Sequence, residues 1–191
     1  MDITIDLSNT TLETPRLTLR PWRESDLPDF YEYASVPGVG EMAGWPHHES
    51  IDVSRQILSS FIDEKNDLAI TDRETGKVIG SLGLHPSWLN DDPRYSGLKV
   101  KEVGYVLSKD YWGRGLMPEA VAAVINFCFE QLGLDALTVG HFTENPQSKR
   151  VIEKCGFTFV KRGEYYAKLL DKTFPDMRYI LLRDGTPMPA D

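Results

Sequence analysis

The chain has little cysteine, no long apolar run and no excess of basic residues, and each shortage excludes a class of protein. Two cysteines, Cys128 and Cys155, cannot form a disulfide framework, and both fall in apolar helical patterns that predict buried thiols. No apolar stretch approaches the ~20 residues that span a bilayer. The first residues are acidic, unlike a signal peptide. The net charge of −8 argues against nucleic acid as a partner. We therefore expect a cytoplasmic protein that engages neither membrane nor nucleic acid.

The negative charge is concentrated in one segment. Between Glu24 and Asp67 there are ten acidic residues and only two basic ones, Arg55 and Lys65. Most of these acids fit the solvated faces of helices. As a sharper alternative, the segment forms an acidic wall that attracts a cation, with Tyr31, Tyr33, Trp45 and Trp88 as aromatic neighbours.

The pattern along the chain predicts an α+β fold, because strand-like runs outnumber helical ones and mix hairpins with crossovers. A length of 191 residues suits one domain, 1–191, with its core at about 12–183 and a frayed tail at 184–191. The loop 86–97 joins two predicted strands and is longer than most hairpin loops, which often marks a functional loop.

A glycine-rich turn lies between a strand and a helix. The predicted strand Glu102–Leu107 precedes Tyr111–Met117, and apolar residues then recur at helical spacing up to Gly133. Such a turn directs free backbone N–H groups and the positive end of a helix at one point, where an anion binds well. The turn has no Gly-Lys-Ser/Thr, and Pro118 stands where a dinucleotide motif needs a third glycine, so the common nucleotide-binding motifs are disfavoured.

Two stretches carry a family resemblance. Gly104–Leu107 followed by Tyr111–Met117 resembles the acetyl-CoA pyrophosphate loop of the GNAT N-acetyltransferase superfamily, and Asn145–Phe157 resembles its second signature. The branch with the ribosomal-protein N-terminal acetyltransferases is the most similar, and the likeness runs from about Leu12 to Leu182. It implies a twisted, mostly antiparallel central sheet that splays at the cofactor strand and is flanked by helices.

The resemblance also implies an activity. It is the transfer of acetyl from acetyl-CoA to a primary amine, by direct attack in a ternary complex, without a metal and in a monomer or homodimer. The acceptor is a protein N-terminus or a small cationic amine, which would suit the acidic wall. A non-catalytic module that binds acetyl-CoA is the alternative.

The resemblance assigns roles to particular residues. It implies that a backbone N–H near Tyr105 polarises the acetyl carbonyl. From the positions of the residues themselves, Glu102 is the first choice for the general base and Ser148 is the nearest candidate for the proton donor. The cofactor-binding residues are Tyr105, Val106, Leu107, Trp112, Gly113, Arg114, Gly115, Leu116, Met117, Asn145 and Ser148.

The chain departs from the family pattern at two positions. Trp112 stands where the family often has Gln or Arg, and Ile152 stands where many members place the tyrosine that protonates the departing thiolate. Ser148, one helical turn before Ile152, is the nearest substitute, although a solvent-facing hydroxyl fits the pattern equally well. Asn145 fits the start of a helix as well as a pantetheine contact.

The base assignment depends on the shape of one strand. Glu102 precedes Tyr105 by three residues, so strand alternation places them on opposite faces unless Gly104 forms a bulge. The alternatives for the base are His47, His48 and His85. The adjacent histidines have no further ligands at metal spacing, so no metal site is expected.

Overall fold

The computed structural model describes residues 3–95 and 97–185. The helices are α1 (Leu27–Ala34), α2 (Ile51–Glu64), α3 (Leu116–Glu130) and α4 (Pro146–Lys154). The strands are β1 (Leu12–Glu13), β2 (Leu17–Pro21), β3 (Asp67–Asp72), β4 (Val78–His85), β5 (Val100–Leu107), β6 (Ala136–Phe142), β7 (Thr158–Ala167) and β8 (Lys172–Leu182). Short 3-10 turns, Trp88–Asp91 and Pro93–Tyr95, occupy the long loop between β4 and β5.

Within the described residues, eight strands form one sheet in the order β1-β2-β3-β4-β5-β6-β8-β7. Neighbouring strands run antiparallel except β5 and β6, which are parallel and are connected through α3. Parallel neighbours need such a crossover, because a hairpin can join only antiparallel strands. The α+β fold with a mostly antiparallel sheet is confirmed.

The two halves of the sheet diverge after Glu102. β5 pairs with β6 only from Val100↔Ala136 to Glu102↔Thr138, whereas its pairing with β4 continues to Leu107. The predicted splay of the sheet is therefore confirmed. The bulge considered at Gly104 is wrong, because the register between β4 and β5 is unbroken from His85↔Glu102 to Gly80↔Leu107.

The helices cover both faces of the sheet. α3 packs on the face that carries Val103 and Leu107, with Tyr105 beside them, and α4 contributes Ile152 to the same core. α1 and α2 pack on the opposite face, where Ala69, Val78 and Val106 lie. Side chains alternate between faces along a strand. Consequently Glu102 faces the α1–α2 side, whereas Tyr105 faces the α3–α4 side.

Three smaller features concern a helix end, the C-terminal tail and the length of the helices. Gly156 follows α4 in the left-handed conformation, with φ 82°, as is common for a glycine after the end of a helix. The expected frayed tail, 184–191, lies mostly outside the described residues, which end at 185. Among those residues, no helix combines the length and the apolar character needed to cross a bilayer.

Candidate active site

A cavity of about 250 Å³ lies at the start of α3, between β5 and α4. Every residue predicted to bind the cofactor lines it except Arg114. The side chain of Arg114 instead lies over the ring of Tyr111, with its guanidinium carbon 5.0 Å from the ring centre. The sequence therefore located the lining of one groove from two motifs about 30 residues apart.

The glycine-rich turn leaves the first turn of α3 open. Gly113 and Gly115 have φ values of 75° and 73°, in the left-handed region that favours glycine. Gly115 is the N-cap of α3 and no side chain caps the helix. The first backbone N–H groups are thus available to an anion, and the helix dipole adds to the attraction. Trp112 closes the other end of the turn, since its indole N–H donates to the Leu107 carbonyl at 2.8 Å.

A network that the motifs did not indicate fixes this turn to the sheet. Arg16, just before β2, donates to the carbonyl oxygen of Arg114 at 2.9 Å. Its guanidinium also pairs with Glu119 in the first turn of α3, at 2.7 Å, and the hydroxyl of Thr14 donates to the same carboxylate at 2.6 Å. These partners are about 100 residues apart in sequence, so no local pattern could reveal them.

A larger cavity of about 1300 Å³ lies on the other side of the sheet, under α1, α2 and the β4–β5 loop. The two cavities meet where β5 leaves β6. Six residues line both of them: Met42, Ala43, Tyr105, Val106, Asn145 and Ser148. A molecule in one cavity can therefore touch a molecule in the other only at this junction.

Glu102 lines the larger cavity at the last paired position of β5 and β6. Burial raises the pKa of its carboxyl to about 7, against the smaller opposing effects of the Trp88 backbone N–H and the Arg178 guanidinium. A carboxylate with this pKa exchanges its proton near neutral pH. Glu102 and Tyr105 lie on opposite faces of β5. The assignment of Glu102 as the general base required both residues on one face, and the structure does not meet that condition.

Tyr105 and Ser148 are in direct contact. The phenol oxygen lies 2.9 Å from the Ser148 hydroxyl oxygen, and burial raises the pKa of Tyr105, so the phenol keeps its proton. Asn145 accepts the Ser148 backbone N–H through its side-chain oxygen at 3.0 Å, as a helix N-cap does, while also lining both cavities. Ile152 is buried in the core, 1% exposed.

Comparison with known proteins agrees with this geometry. The profile of a family described as Acetyltransferase (GNAT) domain matches residues 16–158. The chain belongs to the GNAT acetyltransferase family.

Two relatives and one solved structure illustrate how close the likeness is. The probable N-acetyltransferase YjcK of Bacillus subtilis (strain 168) is 40% identical over 139 residues, which cover 70% of each chain. The uncharacterized N-acetyltransferase YoaA of the same strain is 30% identical over 151 residues, covering 76% of this chain and 81% of its own. A structure of a putative ribosomal-protein-serine acetyltransferase from Vibrio cholerae has a TM-score of 0.75 at 18% identity, covering 92% of this chain and 98% of that one. At that identity, the last likeness concerns the fold.

The three histidines considered as bases are held differently in this GNAT fold. His47 contacts Glu41, with 2.8 Å between Nδ1 and the carboxylate. His48 contacts the Ser54 hydroxyl at 2.7 Å, and burial followed by the charge of His47 lowers its pKa. His85 faces the larger cavity beside Asp67. Of the three, only His85 pairs across β4–β5 with Glu102.

Few of the acids between Glu24 and Asp67, the segment considered as an acidic wall, face the larger cavity. Only Glu49 and Asp67 of its ten acids line the larger cavity of this GNAT chain. Others have partners elsewhere: Asp26 pairs with Arg20 at 2.8 Å, and Glu32 with Lys77 at 2.6 Å. The sequence could not separate these paired acids from cavity residues, because packing decides which way each side chain faces.

Two of the four aromatic residues considered as neighbours of the acidic wall face the larger cavity. Trp45 and Trp88 line the larger cavity, whereas Tyr31 and Tyr33 do not. The ring of Trp88 already faces a cation of the chain itself, because the Lys161 ammonium lies 4.8 Å from the ring centre. Over residues 3–95 and 97–185 of this GNAT chain, no group of three or more His, Cys, Asp or Glu could hold a metal ion.

Proposed function

We propose that this protein is an acetyl-CoA-dependent N-acetyltransferase that moves acetyl to a primary amine by direct attack in a ternary complex. The observation that carries the proposal is the junction of two cavities at six shared residues, where β5 leaves β6. One cavity begins at an uncapped helix with a glycine-rich turn, which suits a phosphorylated cofactor. The other contains buried carboxylates, which suit an amine.

The groove at α3 fits acetyl-CoA. Backbone N–H groups of the turn from Trp112 to Met117 would hold the pyrophosphate, and the edge of β5 from Tyr105 to Leu107, unpaired on its β6 side, would pair with pantetheine. When bound, acetyl-CoA supplies an acetyl group already activated as a thioester. The protein then has to hold the two reactants together, which is a large source of rate enhancement.

Glu102 would accept the proton that the amine must lose. Its side chain lies in the acceptor cavity, and its raised pKa of about 7 leaves a basic fraction at neutral pH while making the carboxylate a better base than an exposed one. The separation of Glu102 from Tyr105 by the thickness of the sheet is compatible with this role. Deprotonation takes place on the acceptor side and the thiol leaves on the cofactor side.

Ser148 would donate a proton to the departing thiolate, with Tyr105 behind it. The two hydroxyls are 2.9 Å apart at the junction, so the phenol, which keeps its own proton, can donate a hydrogen bond that stabilises the Ser148 oxygen as its hydroxyl gives up a proton. The absence of a tyrosine at 152 favours the alternative, a non-catalytic module that binds acetyl-CoA. The Tyr105 phenol on β5 contacts Ser148, so the site contains a tyrosine hydroxyl although residue 152 is isoleucine.

Replacement of Ser148 by Ala should lower kcat while leaving the Kd for acetyl-CoA nearly unchanged. General acid catalysis typically contributes ~10²–10⁴-fold, and water in place of the hydroxyl would keep the loss near the lower end. The Ser148 backbone N–H, which Asn145 accepts, survives the substitution, so α4 should keep its start. Steady-state kinetics and calorimetry on Ser148→Ala and Tyr105→Phe give the two quantities. An unchanged kcat, with chemistry shown to be rate-limiting, would remove Ser148 from the mechanism.

Coenzyme A and acetyl-CoA should each raise the melting temperature. A ligand specific to the native state at 100 times its Kd adds about 2.7 kcal/mol, which for a chain of this size is roughly 5–10 °C. Thermal denaturation with and without each ligand is the measurement, followed by turnover of acetyl-CoA with a panel of amines. Absence of any shift at millimolar ligand would contradict cofactor binding, and a shift without turnover would favour the non-catalytic module.

A further inference from the structure

Asp67 has an unusual environment for a buried carboxylate. It begins β3, its side chain is only 8% exposed, and it lines the larger cavity. Its carboxylate receives no hydrogen bond from any residue in 3–95 or 97–185. Its ion-pair partner is His85, with 3.8 Å between Oδ1 and Nε2. Because Asp67 lines the cavity, a ligand there can reach its carboxylate, to which the distant His85 contact supplies no short hydrogen bond.

The two side chains converge over a glycine. A Cβ on Gly83 would lie 2.2 Å from Asp67 Oδ1 and 2.5 Å from His85 Nε2, so only glycine permits this arrangement. The 3.8 Å between the two atoms is too long for a hydrogen bond. A single ammonium nitrogen above them could donate one N–H to the carboxylate and another to a neutral imidazole. The pair thus has the geometry of a receptor for an ammonium group.

The charged residues that line the cavity also favour an ammonium ligand. Five acids line it, namely Glu49, Asp67, Asp91, Glu102 and Asp176. The arginine among the lining residues, Arg178, donates to Asp176 at 2.9 Å and to the Glu164 carbonyl at 3.0 Å. Burial, the largest influence, holds the pKa of Asp67 above its usual value, and a cation beside it would compensate for that burial. An anionic ligand would be repelled by this carboxylate, and a neutral donor would lack the charge that compensates for its burial.

The ammonium receptor lies near the junction of the two cavities but separate from it. Gly83 pairs with Gly104 across β4–β5, and Tyr105, the next residue, is one of the six at the junction. Paired residues on antiparallel strands are about 4.5–5.5 Å apart. An ammonium group over Gly83 is therefore roughly 5–8 Å from an amine that reacts beside Tyr105.

We infer that Asp67, with His85, binds a second ammonium group of the acceptor, which is therefore a diamine or polyamine. This inference rests on the proposed acetyl transfer. The spacing corresponds to roughly three to five methylene groups between the reacting nitrogen and the bound one. Asp67 is thus a specificity residue: it selects the far end of the acceptor and takes no part in the chemistry.

The test compares a diamine with a monoamine of the same shape. α,ω-Diaminobutane and n-pentylamine differ only in that a methyl group replaces one ammonium group. In the wild type, kcat/KM should favour the diamine by about ten- to a hundredfold, the range expected for a charged hydrogen bond. Asp67→Asn, which keeps the side-chain shape, should abolish that preference while changing n-pentylamine little. Glu64→Gln is the matched control, because it removes a charge that acts on Asp67 without lining the cavity.

A binding measurement separates this inference from the proposed reaction. Calorimetry of diaminobutane with the protein saturated with coenzyme A should show binding to the wild type and to Glu64→Gln, and much weaker binding to Asp67→Asn and to Gly83→Ala. Binding that depends on Asp67 without any acetyl transfer would support the ammonium receptor and contradict the proposed reaction. Acetyl transfer to both amines with equal losses in Asp67→Asn would support the reaction and overturn the diamine specificity.

Discussion

Replacement of Glu102 by Gln should lower kcat/KM by about 10²–10⁴-fold, the usual contribution of a general base. Glutamine keeps the shape of the side chain and its place in the sheet but cannot accept a proton from the amine. In the wild type, kcat/KM should rise as pH increases through about 7, because Glu102 must be deprotonated to act and burial has raised its pKa to that value. The variant should lose this rise. The measurement is the pH profile of kcat/KM for both proteins with one amine.

The same substitution has an expected effect on stability, which serves as its control. The folded-state pKa of Glu102 is raised from 4.5 to about 7, so its contribution to stability is complete at low pH and is lost as pH rises through that interval. The loss amounts to at most roughly 3 kcal/mol. Asp67, whose pKa is also raised, adds a slope of the same sign in both proteins. Glu102→Gln should therefore be more stable than the wild type at pH 8 and still be slow. If the variant keeps both the rate and the acid limb, the base lies elsewhere, with His85 the next candidate.

Replacement of Gly115 by Val should weaken binding of acetyl-CoA more than any other single change in the turn. At φ 73°, a β-branched residue is strained by about 1–2 kcal/mol, and the turn will relax away from the conformation that directs its N–H groups into the groove. A Cβ at this position has open space around it, with the Arg16 guanidinium at 3.8 Å, so the protein should still fold. We expect a loss of at least about a hundredfold in affinity, measured by calorimetry.

Two further variants show whether the loss of affinity in Gly115→Val comes from the turn that binds the cofactor. Gly76→Val introduces the same strain, at φ 74° and with open space, in the β3–β4 turn, and should cost stability without affecting the cofactor. Trp112→Gln removes an indole that donates to Leu107 but keeps the backbone N–H, and should lose much less affinity than Gly115→Val. Equal losses in Trp112→Gln and Gly115→Val would show that Trp112 acts through its side chain.

The parts of the site that could be predicted are those specified by local sequence. The turn around Gly113 and Gly115 joins a strand to a helix within a few residues, so glycine positions and helix periodicity were sufficient to place it. Asn145 is the N-cap of α4 and Ser148 follows three residues later, so the 3.0 Å hydrogen bond between them is a local contact that the sequence can indicate. The family resemblance added the prediction that these two local structures lie side by side, and the shared cavity lining agrees with it.

The parts that could not be predicted depend on contacts between distant segments. The hydroxyl pair of Tyr105 and Ser148 joins β5 to α4, 43 residues away. Asp67 and His85 approach each other over Gly83, and the sequence does not indicate that Asp67, on the neighbouring strand, pairs opposite this glycine. The bulge at Gly104 was wrong for a related reason. A glycine permits a bulge, but the register is set by the whole β4–β5 pair.

Because β5 and β6 are in contact over a short length, a small rotation there is amplified along β5. Three residue pairs join its two halves, and beyond them β5 extends five residues, from Val103 to Leu107, or roughly 17 Å. A rotation of about 3° at the pairs moves the far end of β5 by roughly 1 Å, a displacement of the size that alters catalysis. Val100, Ala136 and Leu137 lie at these pairs, are fully buried and line neither cavity, so under the proposed reaction their packing would influence the separation of the two reactants without contact with either.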